Sequence, residues 1–231
     1  MGDRYTITAT GEQVGERFGK DVSDLYKPRF NAAPTQVLPV ITQGSAGFSY
    51  FFWGQLPERS KNKPVGSKLL YASARSLPGS SAGRTLLSAG RCIVPADSFY
   101  SWKQVSKKGR IPYRILQEDD ALFGMAGVWE EFEDDEGHIV HTFRIITHPA
   151  VGQIADITPQ VPFILDESDE SAWLNSETAI GDIESILEKP SSKRLRHYTV
   201  SPRIDNVEID NATLIKPFSP ADQFGNYSLF D

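Results

Sequence analysis

Few side chains of this chain carry recognisable catalytic or metal-binding chemistry. The one cysteine, Cys92, lies in an apolar run that predicts a strand, which favours a buried structural thiol over a nucleophile. His138 and His141 are three residues apart on a predicted strand and therefore face opposite sides. His148 and His197 have no cysteine or acidic partner at ligand spacing. Neither a G-x-S-x-G elbow nor a phosphate-binding loop motif occurs, so the sequence predicts no metal, no cofactor and no peptidase triad.

The segment 91–102 is the strongest local pattern in the chain. It opens with an apolar run that we expect to end at Pro95, because proline has no N–H to donate to a ladder. An Asp-Ser pair then predicts a turn, and an aromatic strand follows. Alternation places Tyr100 and Trp102 on one face of that strand and Ser101 on the other. The segment therefore predicts a rigid platform that carries a small residue, Ser101, where a working side chain would be expected.

The order of the predicted elements indicates the fold class. Many short strands are followed by a few late acidic helices, with no regular βαβ alternation, which predicts an α+β protein built on a twisted antiparallel sheet. No internal repeat and no long linker divides the chain, so we expect a single domain over residues 1–231. A Ser-, Gly- and Lys-rich segment at about 57–90 predicts a flexible basic loop, and residues 217–231 predict an irregular tail.

Charge is distributed unevenly along the chain. The net charge is -6, yet residues 1–115 hold 17 Lys and Arg against 7 Asp and Glu, and residues 116–231 hold 7 against 23. A basic half beside an acidic half is typical of a one-sided site for a polyanion. The alternative is that the two halves intermix in the fold and the charges are simply solvated.

Length and composition favour a soluble globular protein. The chain has 231 residues, 39% of them hydrophobic, and no apolar run approaches the roughly 20 residues that span a bilayer. The N-terminus lacks the apolar core of a signal peptide, and a single cysteine cannot form an intramolecular disulfide. These features predict a cytoplasmic protein that has no membrane partner.

Several ordered motifs along the chain resemble those of the SOS response-associated peptidase (SRAP) family. The segment 91–102 resembles the family's RC-(I/L)-(I/V)-PA-D/N-G-F-Y-E-W motif. The other matching segments are Arg4-Tyr5, 29–36, 53–57, Ala74-Arg75, 125–130, 145–147, 161–165 and 214–217. The resemblance implies a barrel-like sheet with helices packed outside, and proteins that bind single-stranded DNA and crosslink to abasic sites.

The resemblance also implies a mechanism whose residues are missing here. Family members expose a cysteine after removal of the initiator Met and trap the abasic aldehyde as a thiazolidine, assisted by an asparagine, a glutamate and a histidine. These four positions fall on Gly2, Ser73, Ser101 and Thr158. Gly2 has no thiol, and the hydroxyls of Ser101 and Thr158 do not titrate near neutral pH. We therefore expect a pseudoenzyme with respect to crosslinking.

The family's DNA-binding residues are better retained than its chemistry. The partner that the resemblance implies is single-stranded or junction DNA, possibly abasic, bound by a monomer that associates with the nucleoid. The positions that match the family's DNA groove are Arg4, Asn31, Pro34, Trp53, Arg75, Tyr100 and Trp102. Arginine can pair with phosphate, and an exposed aromatic ring can stack on a base. Aromatic residues on strands usually pack in the core, however; we expect Trp53 to be partly exposed and Tyr100 to be structural.

Two further interpretations remain open. If Met1 is removed, the α-amine of Gly2, with a pKa of about 7.7–8.0, could attack an abasic aldehyde and form a reversible imine. Gly2 could instead be a disordered terminal residue. In the other interpretation the chain is a protein-interaction scaffold without DNA binding, and the acidic residues 166–188 form its contact surface.

Overall fold

The computed structural model describes residues 2–54, 70–107, 109–133, 137–189 and 194–220. Its strands are β1 (Tyr5–Ile7), β2 (Arg29–Ala32), β3 (Val37–Thr42), β4 (Ser49–Trp53), β5 (Tyr71–Ser73), β6 (Arg91–Ala96), β7 (Ser98–Gln104), β8 (Arg110–Gln117), β9 (Phe123–Glu133), β10 (Ile139–Pro149), β11 (Gln160–Pro162) and β12 (Leu195–Thr199). The α-helices are α1 (Gly11–Phe18), α2 (Ser81–Ala89), α3 (Glu167–Leu174) and α4 (Ile180–Glu188). Short 3₁₀ helices cover Gly152–Asp156 and Pro202–Asp205. None of the helices in these ranges is both long and apolar enough to cross a membrane.

Five strands close into a barrel. Strands β4, β3, β6 and β9 pair antiparallel in that order, β9 pairs antiparallel with β10, and β10 pairs parallel with β4 to close the ring. Alternate residues of these strands point inward, so that Leu38, Val40 and Trp53 share one core cluster with Phe143 and Ile145. Strands β5 and β11 also pair with β10, parallel and antiparallel respectively. The far end of β10 thus joins two short strands that come from distant parts of the chain.

A second sheet packs on the barrel. Its order is β12-β8-β7-β1-β2, and every pair in it is antiparallel. One face contributes Tyr5, Phe99 and Ile115 to the core that it shares with the barrel. The other face is covered by the C-terminal segment, where Tyr100 packs with Leu214. Together with the helices outside the barrel, this arrangement confirms the predicted α+β, barrel-like and mainly antiparallel fold.

Three helices cover the opposite, outer face of the barrel. Leu87 of α2, Trp173 of α3 and Ile183 of α4 are buried in a second apolar cluster. Beneath them the guanidinium of Arg91 is fully buried and donates to main-chain carbonyls at the C-terminal ends of α2 and α3. Those carbonyls have no partner within their own helices and carry the negative end of the helix dipole. A buried cation can therefore join both helices to β6 without a carboxylate.

Two expectations about local structure were wrong. Strand β6 continues through Pro95 to Ala96, because Pro95 pairs with Gly124 without needing to donate a ladder hydrogen bond. In the segment predicted as a flexible loop at about 57–90, residues 81–89 instead form α2, whose N-cap is Ser80 with its hydroxyl accepting from the Gly83 N–H. The part of that prediction over residues 57–69 lies outside the described residues, as does the predicted tail from residue 221.

Candidate nucleic-acid interface

Residues 2–4 extend β1 along β7. The Gly2 N–H donates to the Tyr100 carbonyl at 3.1 Å, and the Tyr100 N–H donates to the Arg4 carbonyl at 3.0 Å. From the barrel side, the Tyr71 hydroxyl donates to the Gly2 carbonyl at 2.5 Å. Both polar groups of the Gly2 backbone are therefore paired. The structure favours a fixed Gly2 over the disordered terminus that the sequence left open.

The surroundings of Gly2 leave no room for a side chain. A Cβ built on Gly2 would lie 2.5 Å from Cε3 of Trp102 and 2.7 Å from the Tyr100 carbonyl oxygen, and closer still to Cζ3 of Trp102. The Arg110 guanidinium also lies over the indole, 5.1 Å from the ring centroid, and pairs with Asp205 at 3.0 Å. The Trp102 ring therefore occupies the volume that a cysteine side chain at residue 2 would need.

Tyr71 connects Gly2 to the barrel. Its ring meets the buried ring of Trp53 edge-on, with 6.1 Å between centroids. Burial raises the pKa of the Tyr71 hydroxyl well above its usual range, with Asp3 raising it further and Arg4 opposing. The hydroxyl therefore stays protonated over the physiological range and remains the donor in its bond to Gly2.

Two of the four positions that the family resemblance assigned to catalytic residues lie beside Gly2. Ser101 directly follows Tyr100, the acceptor of the Gly2 N–H, and is only 2% exposed. It lies opposite Tyr113 of β8 and therefore on the sheet face that looks toward the barrel. Ser73 lies two residues beyond Tyr71 on β5 and shares its side of the strand.

The fourth of these positions, Thr158, joins this group through β10. Ser73 lies opposite Thr147 of β10, whose hydroxyl is 3.4 Å from Oε1 of Gln160. The Thr158 hydroxyl donates to the Gln160 carbonyl at 3.1 Å, and Thr158 is buried. The fold thus brings Gly2, Ser73, Ser101 and Thr158 into one connected region, in which these four positions supply three hydroxyl groups and no thiol, carboxylate or imidazole.

Two arginines of the predicted DNA groove stand at this region with unused N–H groups. Arg4 is 9% exposed, and its Nη1 contacts the Asp3 carbonyl at 2.7 Å and the Asp3 carboxylate at 3.0 Å. Its Nε is buried and has no hydrogen-bond partner. Arg75 is exposed in the turn after β5 and forms no ion pair with any described residue. Both guanidinium groups can still donate to a phosphate oxygen.

Three residues predicted to bind DNA are buried for structural reasons. Trp53 is 0% exposed, contrary to the expected partial exposure, because it points into the barrel, where its Nε1 donates to the Leu70 carbonyl at 3.3 Å. Asn31 is equally buried, and its amide donates to three carbonyls of the covering segment, those of Ile204, Asn206 and Ile209. Tyr100 is buried and donates to the Phe30 carbonyl at 3.0 Å, which fits its expected structural role.

The remaining two predicted residues lie nearer the surface. Trp102 is partly buried and packs against the same cluster as Tyr100, as strand alternation predicts. Pro34 is partly buried and precedes Thr35, which adopts a left-handed conformation with φ of 66°. The sequence analysis overlooked Tyr71 and Arg110, because their contacts with Gly2 and Trp102 join segments far apart in the chain.

Comparisons with known proteins agree with this fold and region. The sequence profile described as SOS response associated peptidase (SRAP) matches residues 1–207. The abasic site processing protein YoqW of Bacillus subtilis (strain 168) is 32% identical over 222 residues, which span 94% of this chain and 99% of that protein. The abasic site processing protein HMCES of Gallus gallus is 28% identical over 228 residues, covering 83% and 67% of the two chains.

A solved structure shows the same fold. The crystal structure of a protein from Bacteroides thetaiotaomicron superimposes with a TM-score of 0.78 at 23% identity, covering 94% of this chain and 100% of that one. With a family profile that spans most of its length and relatives 32% identical over nearly all of it, the chain belongs to the SOS response associated peptidase (SRAP) family.

Proposed function

We propose that this protein binds single-stranded DNA at abasic sites without forming a durable covalent bond to it. The observation that carries the proposal is the composition of the region around Gly2, where positions 2, 73, 101 and 158 offer three hydroxyl groups and no thiol, carboxylate or imidazole. A thiazolidine ring needs both the α-amine and the thiol of an N-terminal cysteine. This chain has no such thiol, and its one cysteine, Cys92, is buried in the barrel.

Family membership and the two arginines support the binding part of the proposal. Relatives that are 32% identical over nearly the whole chain are named abasic site processing proteins. Arg4 and Arg75 can contact phosphates on either side of a lesion, and the partly exposed ring of Trp102 can stack on a base. The lesion itself would lie over Gly2, where the backbone is fully paired and presents no side chain.

The test is a binding titration at several salt concentrations. A labelled single-stranded oligonucleotide with one tetrahydrofuran abasic analogue should bind reversibly, and the logarithm of its association constant should fall linearly with the logarithm of the salt concentration. Because the analogue has no aldehyde, it reports only non-covalent binding. Absence of binding at 50 mM salt would contradict the proposal and favour the scaffold interpretation instead.

A second candidate function is favoured by the order of the Gly2 backbone. Two hydrogen bonds, to Tyr100 and from Tyr71, would hold the α-amine at a defined place if Met1 is removed. The neutral amine would add to the C1′ aldehyde of an open-chain abasic site, and the resulting carbinolamine would lose water to give an imine. Without a thiol the imine can hydrolyse back, or it can lose the 3′ phosphate by β-elimination and cleave the strand.

Borohydride distinguishes the two candidates. Reduction of an imine gives a stable secondary amine, so a shifted band on a denaturing gel only after borohydride would identify the second function. Mass spectrometry of the tryptic N-terminal peptide would show whether Met1 is removed and whether Gly2, rather than a lysine, carries the adduct. A Gly2 adduct would make the imine the working chemistry of the site, and its absence would leave the non-covalent function.

A further inference from the structure

A cavity of about 300 Å³ opens between the two sheets, next to the turn that carries Thr158. One wall is formed by Glu118, Arg194 and Leu195, at the end of β8 and the start of β12. The opposite wall is formed by His148 of β10, Val161 of β11 and the 3₁₀ helix Gly152–Asp156. The chemistry described above uses none of these residues.

Both walls are held by the main chain. On the first wall the Glu118 N–H donates to the Arg194 carbonyl at 3.1 Å. On the second, the Thr158 N–H donates to the Ile154 carbonyl at 3.0 Å. Ile154 lines the cavity and Thr158 belongs to the replaced family positions. The cavity is therefore a preformed neighbour of the region around Gly2, separated from Thr158 by a single hydrogen-bonded turn.

The lining combines an apolar floor with a polar rim. Ile154 and Val161 are buried and belong to the main core, against which Leu195 also packs. The His148 ring is fixed edge-on against Phe163, with 5.5 Å between centroids, and presents a further flat apolar surface. At the mouth, Glu118 and Arg194 are exposed and form no ion pair with any described residue.

This lining suits a flat ligand that is apolar on its faces and polar at its edge. A nucleobase has that character: its faces can lie on the aliphatic floor and the imidazole, while its edge meets the charged groups at the mouth. Arg194 can at the same time contact the phosphate of that nucleotide. A single unstacked base fits a cavity of this size, whereas a duplex or a folded protein surface does not.

We propose that this cavity binds the nucleobase next to the abasic residue, unstacked from the strand. The inference rests on the proposed function, since it needs single-stranded DNA to cross the region around Gly2. It adds a second anchor to the phosphate contacts of Arg4 and Arg75. An abasic residue has no base of its own, so a captured neighbouring base would hold the lesion in register over Gly2.

A double-mutant cycle between protein and DNA tests the proposal. On the protein side, Val151→Trp places an indole at the mouth of the cavity; Val151 is 74% exposed, so the fold should tolerate the change. On the DNA side, a second tetrahydrofuran residue replaces the base immediately 5′ or, in another oligonucleotide, 3′ of the first. Affinities are measured by fluorescence anisotropy for all combinations, and Arg194→Ala is measured in parallel.

The matched control is Ile139→Trp. Ile139 is 55% exposed and lies at the other end of β10, about 30 Å from His148 at roughly 3.3 Å per residue. It gains the same indole at the opposite end of the strand that leads to Val151, far from the cavity. The control variant should bind every oligonucleotide as the unmodified protein does.

We expect Val151→Trp to weaken binding of the oligonucleotide with one tetrahydrofuran residue about tenfold. A second tetrahydrofuran residue on one side of the first, either 5′ or 3′, should weaken binding to the unmodified protein by about the same factor, because one stacked base is lost. The double change should be no weaker than either single change, because both remove the same contact. The inference is wrong if the unmodified protein binds DNA and the Val151→Trp variant binds it equally well. It is also wrong if the losses of affinity from the protein and DNA changes multiply at both flanking positions. Either result leaves the proposed function intact. Unmodified protein that binds no DNA would overturn both.

Discussion

The Trp102 indole lies against the Cα of Gly2, in the space where a side chain of residue 2 would begin. The Arg110 guanidinium also lies over this ring and pairs with Asp205. A side chain introduced at position 2 would therefore have to displace the indole, which leads to the first prediction.

Gly2→Cys alone should not restore a stable crosslink to abasic DNA. The new Cβ would collide with Trp102, and no ionisable side chain stands at residues 73, 101 or 158 to move protons. The measurement is a denaturing gel after incubation with an abasic oligonucleotide without reductant, with mass spectrometry to confirm that Met1 is removed. A heat-stable shifted band from this single variant would contradict the account of the site.

Tyr71→Phe should loosen the N-terminal segment while keeping the fold. The change removes the hydroxyl that donates to the Gly2 carbonyl and should cost about 1 kcal/mol of unfolding free energy. If the imine forms, its yield after borohydride should fall, while affinity for the tetrahydrofuran oligonucleotide changes little. Tyr50→Phe is the matched control, because Tyr50 contacts Ser23 on the exposed surface. Equal imine yields from both variants would show that Tyr71 does not position Gly2.

Arg75→Glu should weaken DNA binding by at least tenfold and lower the slope of its salt dependence. Each lost phosphate contact reduces that slope by about 0.7 for single strands. Arg4→Gln should act in the same direction, and it avoids placing a carboxylate where the side chain is nine-tenths buried. Arg84→Glu makes the same charge change on α2, where Arg84 pairs with Glu184, and should leave binding nearly unchanged. If the Arg84 and Arg75 variants lose affinity equally, the contribution of charge is general and the groove assignment is wrong.

Arg91→Leu should destabilise the protein by about 3 kcal/mol or more. It removes the buried guanidinium that donates to carbonyls of Leu87, Trp173 and Asn175, and it leaves those carbonyls buried without donors. Urea unfolding followed by tryptophan fluorescence measures the change. Arg84→Ala on the exposed side of α2 should stay within about 0.5 kcal/mol. A loss below 1 kcal/mol for Arg91→Leu would show that the two helix ends do not depend on this cation.

Cys92 should resist alkylation in the folded protein. Burial raises the pKa of its thiol, so almost no thiolate exists at pH 8, whereas the unfolded thiol has a pKa of about 8.5. The pKa of this thiol is higher in the folded protein than in the unfolded one. Its titration therefore leaves the free energy of unfolding unchanged below about pH 8.5 and lowers it as the pH rises above that value. Iodoacetamide labelling at pH 8, with and without denaturant, checks this. Rapid labelling of the native protein would mean that the barrel opens readily.

The sequence allowed the main features of the fold to be predicted because local patterns carry them. The succession of short strands and late acidic helices was enough to indicate the α+β class. Closure of the barrel by parallel pairing of β10 with β4 was not predictable in the same way, since it depends on the register of segments about 90 residues apart. Helix α2 was missed because its Ser- and Gly-rich start resembles a loop, although Ser80 is a good N-cap and Leu87 supplies its buried contact.

The candidate site could likewise be predicted only where a local motif identifies the residue. Positions 2, 73, 101 and 158 were singled out by the resemblance to family motifs, and the structure connects them in one region. The burial of Trp53 and Asn31, in contrast, follows from packing against Leu70 and the segment 204–209, which no local pattern reports. Tyr71 was overlooked for the same reason, because its importance lies in one hydrogen bond to Gly2.

The measurement that tests the central claim most directly is a denaturing gel of the unmodified protein after incubation with an oligonucleotide that carries one natural abasic site, without reductant. The account predicts no shifted band, although the same mixture shows a complex on a native gel. A band that survives heat and denaturant without borohydride would show durable covalent attachment, and it would contradict the claim that this protein has lost the crosslinking chemistry.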